Sequence, residues 1–397
     1  MTSDVSHGIA AYVPPTGPSW ADPWPMYAAL REHDPVHHVA RGDYWVLTRH
    51  DDVYTAVRDH ETFSSTGGLT TAHDELERIG LADNPPMVMT DPPAHSAFRK
   101  LVNRGFTPKQ VEDVTPRVTQ FVIERIAAVR DAGGGDIVQE LFKPLPSMVV
   151  AHYLGVPEVD WGRFDVWTDA IVTANAAQDE SIGAGAAAEL MGYFAELIER
   201  RRREPAEDTV SHLVAAGEAD DDAGLLRVLA FAFTMVAGGN DTTTGLLGGG
   251  LPLLADRPDQ RELARDDVPA AVEELLRLTS PVQGLARTTT RDVTLHGTTI
   301  PAGKKVLLCY AAANRDPRAF GADAEELDVT RNPRQILTFA HGAHHCLGAA
   351  AARMMGRVTL TEILTRMPSF TVDHDSLAWA PGSYVRRPVS LHVEVTG

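Results

Sequence analysis

A long helical pattern with an apolar centre constrains the fold more than any other feature. It covers residues 222–254 and contains the most apolar run in the chain, LLRVLAFAFTMVAGG at residues 225–239. This run includes Arg227, ends in glycines and is too short to cross the hydrocarbon core of a bilayer. We therefore predict that the segment is a helix buried in the interior of the protein.

Helical periodicity also dominates the remainder of the sequence, and Asp, Thr, Pro or Gly marks the helix ends. The pattern predicts helices at residues 25–32, 51–60, 94–102, 109–132, 161–174, 185–203 and 268–278. Strand patterns are short and few, at residues 36–39, 44–48, 293–295, 305–308 and 391–395. We expect a turn at GGGD (residues 133–136) and an irregular meander at residues 314–335. The predicted fold class is mainly α with a small β subdomain.

Length and composition favour one large globular unit. The chain has 397 residues, and no Pro-, Gly- or Ser-rich linker divides it. We therefore expect a single domain over residues 1–397, with a short flexible N-terminus to about residue 20. The formal net charge is −18 at pH 7. Because a protein this acidic repels phosphate backbones and anionic lipids, we expect neither nucleic acids nor membranes as partners.

Cysteine usage and the N-terminal sequence indicate a cytoplasmic protein. Only Cys309 and Cys346 are present, which is too few for a disulfide scaffold and typical of the reducing cytosol. The N-terminal sequence has no basic segment followed by an apolar one, so it does not resemble a signal peptide. We therefore expect a soluble protein of the cytoplasm.

The segment FAHGAHHCLG (residues 339–348) places His341, His344 and His345 close to Cys346 and allows three interpretations. In the first, the histidines lie on the surface and the cysteine is a small buried apolar residue. In the second, the segment binds zinc, but zinc ligands recur at set spacings with a second group elsewhere, and the sequence offers no such group. In the third, Cys346 alone is a ligand, as the axial thiolate of a haem iron.

The residues around Cys346 favour the third interpretation. A helical pattern that begins with small residues follows the cysteine, and a helix N-terminus stabilises a thiolate. Gly342 permits a tight turn, Phe339 can shield the sulfur from water, and Gly348 lets a flat macrocycle lie close. The pattern F-x-x-G-x-x-x-C-x-G resembles the haem-binding loop of the cytochrome P450 family. His344 is a departure, because the family usually has an arginine at this position.

The resemblance covers residues 24–395 and implies the cytochrome P450 fold, with haem b as cofactor. It also assigns an acid and an alcohol in the long helix. Two glycines in AGGNDTTTG weaken the helical hydrogen bonds, so we expect a local groove or kink there. The resemblance implies that Asp241 passes protons through water and that Thr242 forms a hydrogen bond during oxygen activation. Asn240 has no role that the sequence indicates. The alternative is a core helix that is broken by glycines and capped by hydroxyls.

The motif E-x-x-R is weak by itself because it recurs elsewhere in the chain. Glu274 and Arg277 differ from the other matches because they lie in an otherwise apolar helix, where charges are buried only when paired. In the family an arginine from the meander joins this pair, and Arg331 matches that position. We interpret the three as a structural triad that supports the haem-binding loop. The alternative is a set of unrelated surface pairs.

The haem carboxylates need charge-assisted donors because they are buried anions. His95 and Arg99 lie one helical turn apart on the same face and match family positions. The expected cofactor-binding residues are His95, Arg99, Arg287, Phe339, His344 and Gly348. His341 and His345 are expected to form hydrogen bonds or to face solvent.

The resemblance implies a haem-thiolate monooxygenase that inserts one oxygen atom of O2 into a small apolar molecule, by hydroxylation or oxidative dealkylation. Because the sequence has no flavin- or nicotinamide-binding segment, electrons are expected from a separate ferredoxin and ferredoxin reductase. Lys100, Arg104 and Arg353 form a candidate docking patch for the ferredoxin. Two alternatives remain, a peroxide-driven haem-thiolate peroxygenase and a non-catalytic haem sensor or carrier.

The substrate contacts follow only from the layout of the family. Residues 70–89 are expected to form a loop over the haem. Few charges lie among the expected pocket residues, which favours a largely apolar substrate of moderate size. These residues are Phe233, Val236, Ala237, Leu285, Tyr384 and Val385.

Overall fold

α-Helices make up most of the part of the chain that the computed structural model describes, which is residues 11–395 with gaps at 79, 165, 168–169 and 171–179. The first seven helices in those residues are α1 (Trp24–His33), α2 (His50–Ala56), α3 (Glu75–Arg78), α4 (Ala94–Val102), α5 (Pro108–Asp131), α6 (Pro144–Leu154) and α7 (Glu180–Arg203). The next seven are α8 (Thr209–Ala215), α9 (Asp222–Asp256), α10 (Pro258–Asp266), α11 (Val268–Thr279), α12 (Tyr310–Ala313), α13 (Pro317–Phe320) and α14 (Ala349–Arg366). Half of the predicted helix at residues 161–174 is described, and those residues (161–164, 166–167 and 170) are helical; the other half lies outside the described residues.

Short strands form three sheets in the same part of the chain. The strands are β1 (Val36–Val39), β2 (Tyr44–Leu47), β3 (Phe63–Ser64), β4 (Gly134–Asp136), β5 (Leu285–Thr289), β6 (Val293–Leu295), β7 (Thr298–Ile300), β8 (Lys305–Leu308), β9 (Phe370–Trp379) and β10 (Pro388–Val395). The largest sheet has the order β1-β2-β8-β5-β3, and its β2–β8 pair is parallel. A second sheet has the order β4-β10-β9, and β6 pairs with β7. The predicted class, mainly α with small β regions, is therefore confirmed.

The glycine-rich segment GGGD differs from its prediction as a turn. Gly134 to Asp136 form strand β4, which pairs antiparallel with residues 392–394 of β10. Gly134 has φ +142°, and a Cβ atom there would collide with the carbonyl oxygen of Val393. The segment is thus a strand that only glycine permits, because the neighbouring backbone comes too close for a side chain.

The N-terminal segment also differs from its prediction. Residues 1–10 lie outside the described residues, but the segment from residue 11 onward, which we expected to be flexible to about residue 20, is packed. Trp20 is fully buried, and its indole Nε1 donates a hydrogen bond of 2.9 Å to the carbonyl oxygen of Gly382. Tyr12 is 6 % exposed. Burial of these two aromatic rings supplies the free energy that orders the segment.

Helix α9 is longer than the apolar run that predicted it. It is continuous from Asp222 to Asp256, and the side chain of Asp221 caps it by accepting a hydrogen bond from the backbone N–H of Gly224. By length and composition it is the one helix among the described residues that could cross a membrane. The apolar run at residues 225–239 is too short to cross a bilayer, as expected, but the whole helix is long enough. Buried core helices meet the same criterion, and residues 243–254 are almost all buried.

Two glycines let the chain cross α9 at close range. A Cβ atom at Gly245 would lie 2.7 Å from the carbonyl oxygen of Arg386, and one at Gly248 would collide with the ring of Pro388. The segment that leads into β10 therefore lies directly on the helix. This contact brings the C-terminal part of the chain next to the predicted acid and alcohol of α9.

A buried ion-pair network fixes the meander. Arg277 donates hydrogen bonds of 2.8 and 2.7 Å to the two carboxylate oxygens of Glu274, and both side chains are fully buried. Arg277 also donates to the carbonyl oxygens of Asn314 (2.8 Å) and Ala324 (2.6 Å). Arg331 reaches the same carboxylate at 3.2 Å. The structure thus brings together the three side chains that the sequence grouped, and it joins them to the backbone of the meander.

We predict that Glu274→Gln lowers the free energy of unfolding by about 3–5 kcal/mol, because it leaves the buried Arg277 guanidinium without a counter-charge. Urea unfolding followed by circular dichroism measures the change. The matched control is Glu262→Gln in α10, which has the same E-x-x-R spacing to Arg265 at 3.2 Å but is mostly exposed. Its effect should stay below about 1 kcal/mol. Equal losses in the two variants would contradict a structural role for the buried pair.

Candidate active site

The loop before α14 presents a single cysteine. Cys346 lies three residues before the start of α14, and its backbone N–H donates a hydrogen bond of 2.9 Å to the carbonyl oxygen of Phe339. Burial raises the pKa of the Cys346 thiol. The backbone N–H groups of Gly348 and Ala349 and the positive charge of Arg99 oppose that rise. The helix start thus offers donors to a thiolate, and a bound cation would complete its stabilisation.

The Cys346 side chain is exposed although protein atoms surround it. Desolvation is nevertheless the largest influence on the pKa of its thiol, because protein atoms lie around the side chain without covering it. A Cβ atom at Gly348 would meet no atom within 4 Å, so a flat ligand can approach the backbone there. Phe339 is 9 % exposed and packs beneath the Arg353 guanidinium, which lies 4.5 Å from the ring centroid.

The turn of the cysteine loop depends on one glycine. Gly342 has φ +72°, and a Cβ atom there would lie 3.1 Å from Cα of Arg58. Nε2 of His341 lies 3.1 Å from the carbonyl oxygen of Ile336, whereas His345 is exposed. The two histidines therefore lie in the kinds of surroundings that the sequence predicted. No group of three or more His, Cys, Asp or Glu side chains that could hold a metal ion occurs among the described residues.

Two histidines meet beside the loop. The rings of His95 and His344 have centroids 4.1 Å apart and are tilted by 41°. His95 is 1 % exposed, and neither ring nitrogen has a hydrogen-bond partner within the described part of the chain. Nε2 of His344 lies 3.1 Å from Oγ of Ser65. Burial, followed by the positive charges of Arg287, His95 and Arg99, lowers the pKa of His344 to about 3.

Three of the predicted donors, Arg287, His95 and Arg99, therefore lie close to the fourth, His344, since each of them lowers its pKa. Arg287 in β5 is 3 % exposed and donates a hydrogen bond of 2.8 Å to the carbonyl oxygen of its neighbour Ala286. No carboxylate of the described residues lies within ion-pair distance of Arg287. Arg99 donates to the carbonyl oxygen of His345 at 2.7 Å, so α4 contacts the cysteine loop directly. Buried cations and unpaired ring nitrogens of this kind fit an anionic ligand.

This set of side chains fits a haem. One candidate soft ligand, Cys346, is accessible just before the start of a helix, and open backbone at Gly348 leaves room for a macrocycle. Donors without carboxylate partners lie beside it and suit the propionates. The pattern matches haem-thiolate ligation by chemistry as well as by sequence.

The predicted acid and alcohol occupy one turn of α9. The Thr242 hydroxyl donates to the carbonyl oxygen of Gly238 at 3.0 Å, and the helix continues without interruption through both glycines. The expected kink therefore does not break the helix. Oδ1 of Asp241 lies 2.7 Å from Nε of Arg387, and the two side chains are 19 % and 11 % exposed. Asn240 is 6 % exposed, with no partner for its amide atoms among the described residues.

Arg387 is the residue near the site that sequence reasoning missed. It could have been sought because a carboxylate in an apolar helix, such as Asp241, needs a cationic partner. The pair Arg386–Arg387 directly follows two predicted pocket residues and supplied a candidate. The pairing joins segments that are far apart in sequence, so no local spacing indicates it.

The predicted pocket residues divide into two groups. Val236 is fully buried in an apolar cluster with Val150 and Phe231, and its place in the pocket stays a prediction. Phe233, Ala237, Leu285, Tyr384 and Val385 are all partly buried.

The predicted loop at residues 70–89 contacts the β segments at the N-terminal end of the loop. The Tyr384 hydroxyl accepts a hydrogen bond of 3.0 Å from the backbone N–H of Thr71, and Ala286 N–H donates to the carbonyl oxygen of Leu69 at 2.7 Å. The beginning of the predicted loop at residues 70–89 therefore lies beside the β segments that carry Leu285 and Tyr384.

The candidate ferredoxin patch is smaller than predicted. Lys100 and Arg104 are exposed. Arg353, however, forms a two-point ion pair with the carboxylate of Glu273 at 2.5 and 2.9 Å. Because that pair is neutral overall, Arg353 adds little net positive charge to the surface.

Comparison with known proteins identifies the family. Residues 169–377 match the family described as Cytochrome P450. Cytochrome P450 130 of Mycobacterium tuberculosis is 64% identical over 100% of both chains. Vitamin D(3) 25-hydroxylase of Pseudonocardia autotrophica is 37% identical and covers 94% of this chain and 93% of its own. The crystal structure of CYP109E1 from Bacillus megaterium in complex with testosterone superposes with a TM-score of 0.83 at 30% identity, over 95% of this chain and 100% of that chain.

The family match covers more than half of the chain, and the first of these relatives matches along its whole length. The geometry of the cysteine loop agrees with that match. The chain therefore belongs to the cytochrome P450 family and is a haem b-binding monooxygenase of the oxidoreductase class.

Proposed function

We propose that the protein hydroxylates or oxidatively dealkylates a largely apolar small molecule, with electrons from a separate ferredoxin and its reductase. The observation that carries the proposal is the accessible Cys346 sulfur before α14, together with His95, whose ring nitrogens have no partner among the described residues, and the buried Arg287, which has no carboxylate partner there. When bound, haem b supplies the electron-transfer and O2 chemistry. The protein supplies the ligand, the anchors, the protons and the substrate pocket.

In this proposal the Cys346 thiolate would be the protein's ligand to the haem iron. The backbone N–H groups of Gly348 and Ala349 stabilise the charge on the sulfur, and Phe339 covers the loop from water. Partial neutralisation by hydrogen bonds sets how much electron density the sulfur gives to the metal. The loop thus determines the strength of the ligand as well as its position.

The donors beside the loop hold the haem carboxylates. Arg99 and Arg287 supply permanent positive charge, and His95 and His344 supply ring N–H groups. Because burial and the neighbouring cations lower the pKa values of both histidines, the rings are neutral donors at pH 7 until an anion joins them. A neutral His344 in place of the usual arginine therefore leaves the remaining positive charge to Arg99 and Arg287.

Thr242 and Asp241 handle protons on the opposite side of the site. The Thr242 hydroxyl donates to the carbonyl oxygen of Gly238, and rotation about one side-chain bond would free its proton for the reaction. Asp241 forms an ion pair with Arg387 and would exchange protons with the site through water. The pair therefore supplies protons in a place that is otherwise apolar.

The substrate class follows from the lining residues and from the relatives. Phe233, Ala237 and Leu285 offer apolar surface that remains partly accessible. The Pseudonocardia relative is named as a hydroxylase of vitamin D(3), and the Bacillus megaterium structure holds testosterone. We therefore propose an apolar substrate of moderate size, built on a steroid-like ring system.

Titration of the purified haem-loaded protein with testosterone should change the spin state of the iron, because an apolar ligand displaces water from the pocket. Absorption difference spectra measure the response, and glucose is the matched polar control. Conversion by a reconstituted ferredoxin and reductase system should give a hydroxylated product. A response to glucose but not to testosterone would overturn the proposed substrate class.

Cys346→Ser should abolish the characteristic absorption band of the reduced carbon monoxide complex, because serine supplies no thiolate. Cys309→Ala is the control, since Cys309 is the other cysteine and is 1 % exposed in the β region. Its spectrum should match that of the unmodified protein. A band that survives in Cys346→Ser and disappears in Cys309→Ala would reassign the ligand.

Thr242→Ala should lower product formed per electron pair consumed about tenfold, because it removes a positioned hydroxyl proton. Substrate affinity should change little, since the hydroxyl lies in the helix groove. Thr243→Ala is the matched control, as its hydroxyl lies 3.5 Å from the carbonyl oxygen of Gly239 and its side chain is buried. Unchanged coupling in Thr242→Ala would favour a peroxide-driven reaction over one driven by O2.

A further inference from the structure

We propose that Arg387 is a positioning residue that holds the Asp241 carboxylate of α9 from the C-terminal β segment. This inference rests on the proposed function, in which Asp241 handles protons. Arg387 acts through Asp241 and need not touch the substrate or the haem. Nothing in the local sequence around Asp241 supplies this cation.

The contact itself is a close and mostly buried ion pair. Nε of Arg387 lies 2.7 Å from Oδ1 of Asp241, and the side chains are 11 % and 19 % exposed. At such low exposure an opposite charge strongly favours the ionised carboxylate, and loss of that charge favours the protonated form. The guanidinium also fixes the direction of the carboxylate, because the Nε donor is planar and directional.

The backbone that carries Arg387 is held on both sides. The preceding Arg386 donates its N–H to the carbonyl oxygen of Pro281 at 2.8 Å and its Nε to the carbonyl oxygen of Trp20 at 2.7 Å. The carbonyl oxygen of Arg387 accepts a hydrogen bond of 3.0 Å from Ala380 N–H. Hydrogen bonds on both sides of Arg387 therefore fix the backbone from which its side chain extends.

Aromatic rings enclose the neighbouring guanidinium as well. The Arg386 guanidinium carbon lies 3.7 Å from the ring centroid of Trp379 and 5.0 Å from that of Trp24. Such contacts restrain an arginine without a carboxylate. Arg386 therefore anchors the segment to the N-terminal part of the chain, while Arg387 points to α9. Two adjacent arginines thus have separate tasks.

Small residues of α9 make the approach possible. Gly245 lies one helical turn after Asp241, and a Cβ atom there would lie 2.7 Å from the carbonyl oxygen of Arg386. A larger residue at this position would push the β segment away from the helix. The glycine therefore sets the separation across which Arg387 reaches the acid.

The same segment also contacts the substrate loop. The Tyr384 hydroxyl accepts a hydrogen bond from the backbone N–H of Thr71, and the Tyr384 carbonyl oxygen accepts one from Gln283 N–H at 2.8 Å. Residues 384–387 thus contact both the loop above the pocket and the acid of α9. The backbone that positions Arg387 therefore also contacts the predicted loop at residues 70–89.

The test uses the haem-loaded enzyme with a reconstituted ferredoxin and reductase. Arg387→Gln should lower product formed per electron pair about fivefold, because the carboxylate loses the opposite charge that holds it in place. The dissociation constant of testosterone, measured by spin-state titration, should stay within about twofold. Arg387→Lys should restore most of the coupling, since it keeps the charge. Arg291→Gln, at an exposed arginine 3.8 Å from Asp59, is the matched control and should change neither quantity.

A second readout does not depend on turnover. The unfolding midpoints of Asp241→Asn, Arg387→Gln and the double variant should be non-additive, with the double variant losing less than the sum of the single losses. This result is expected because each single change leaves a mostly buried polar partner behind.

The outcomes separate the two ideas. If Asp241→Asn leaves coupling unchanged, the proposed role of Asp241 fails and the inference falls with it. If Asp241→Asn uncouples the reaction while Arg387→Gln does not, the inference alone is overturned. If Arg387→Gln lowers stability and coupling and Arg387→Lys rescues neither, Arg387 is a structural residue, which also overturns the inference. Uncoupling with rescue by lysine supports it.

Discussion

The fully buried pair of Glu274 and Arg277 is the interaction on which the position of the cysteine loop depends. Its guanidinium holds the carbonyl oxygen of Asn314, and the Asn314 side chain accepts a hydrogen bond of 2.7 Å from the backbone N–H of Leu337. Leu337 lies two residues before Phe339, where the loop begins. The meander between them has little regular structure of its own, so the ion pair replaces the hydrogen bonds that a helix or strand would supply. The Cys346 sulfur is therefore placed by an ion pair that lies outside the cysteine loop.

The arginines and histidines beside the cysteine loop contrast with the net charge of the whole protein, which is −18. Arg287, Arg99 and two histidines are gathered where desolvation disfavours cations, and Arg287 has no carboxylate partner among the described residues. An anionic cofactor relieves this repulsion, so binding free energy also contributes to the stability of the fold. The site and the fold are thus coupled through electrostatics as well as through packing.

Local patterns predicted much of this arrangement, and contacts over long sequence separations account for what they missed. Helical periodicity located the principal helices, and the resemblance of the cysteine motif to the cytochrome P450 family led to the triad and the donors. Strand β4 was missed because glycines usually signal turns, and only the backbone of β10 makes this one a strand. The order of the N-terminal segment depends on a contact between Trp20 and Gly382, which no local pattern encodes. The partners of Arg353 and Asp241 were missed for the same reason.

The parallel pairing of β2 with β8 has a consequence for how the protein is made. Residues 44–47 pair with residues 305–308, so the central strands of the largest sheet are separated by most of the chain. During synthesis from the N-terminus, the hairpin of β1 and β2 emerges long before its partner strand is available. The ribosome-bound intermediate therefore carries an open strand edge for much of translation, and closing that edge is a late event with a large loop-closure cost. Assembly of the β region, and with it the completed substrate side of the pocket, must wait for the last quarter of the polypeptide.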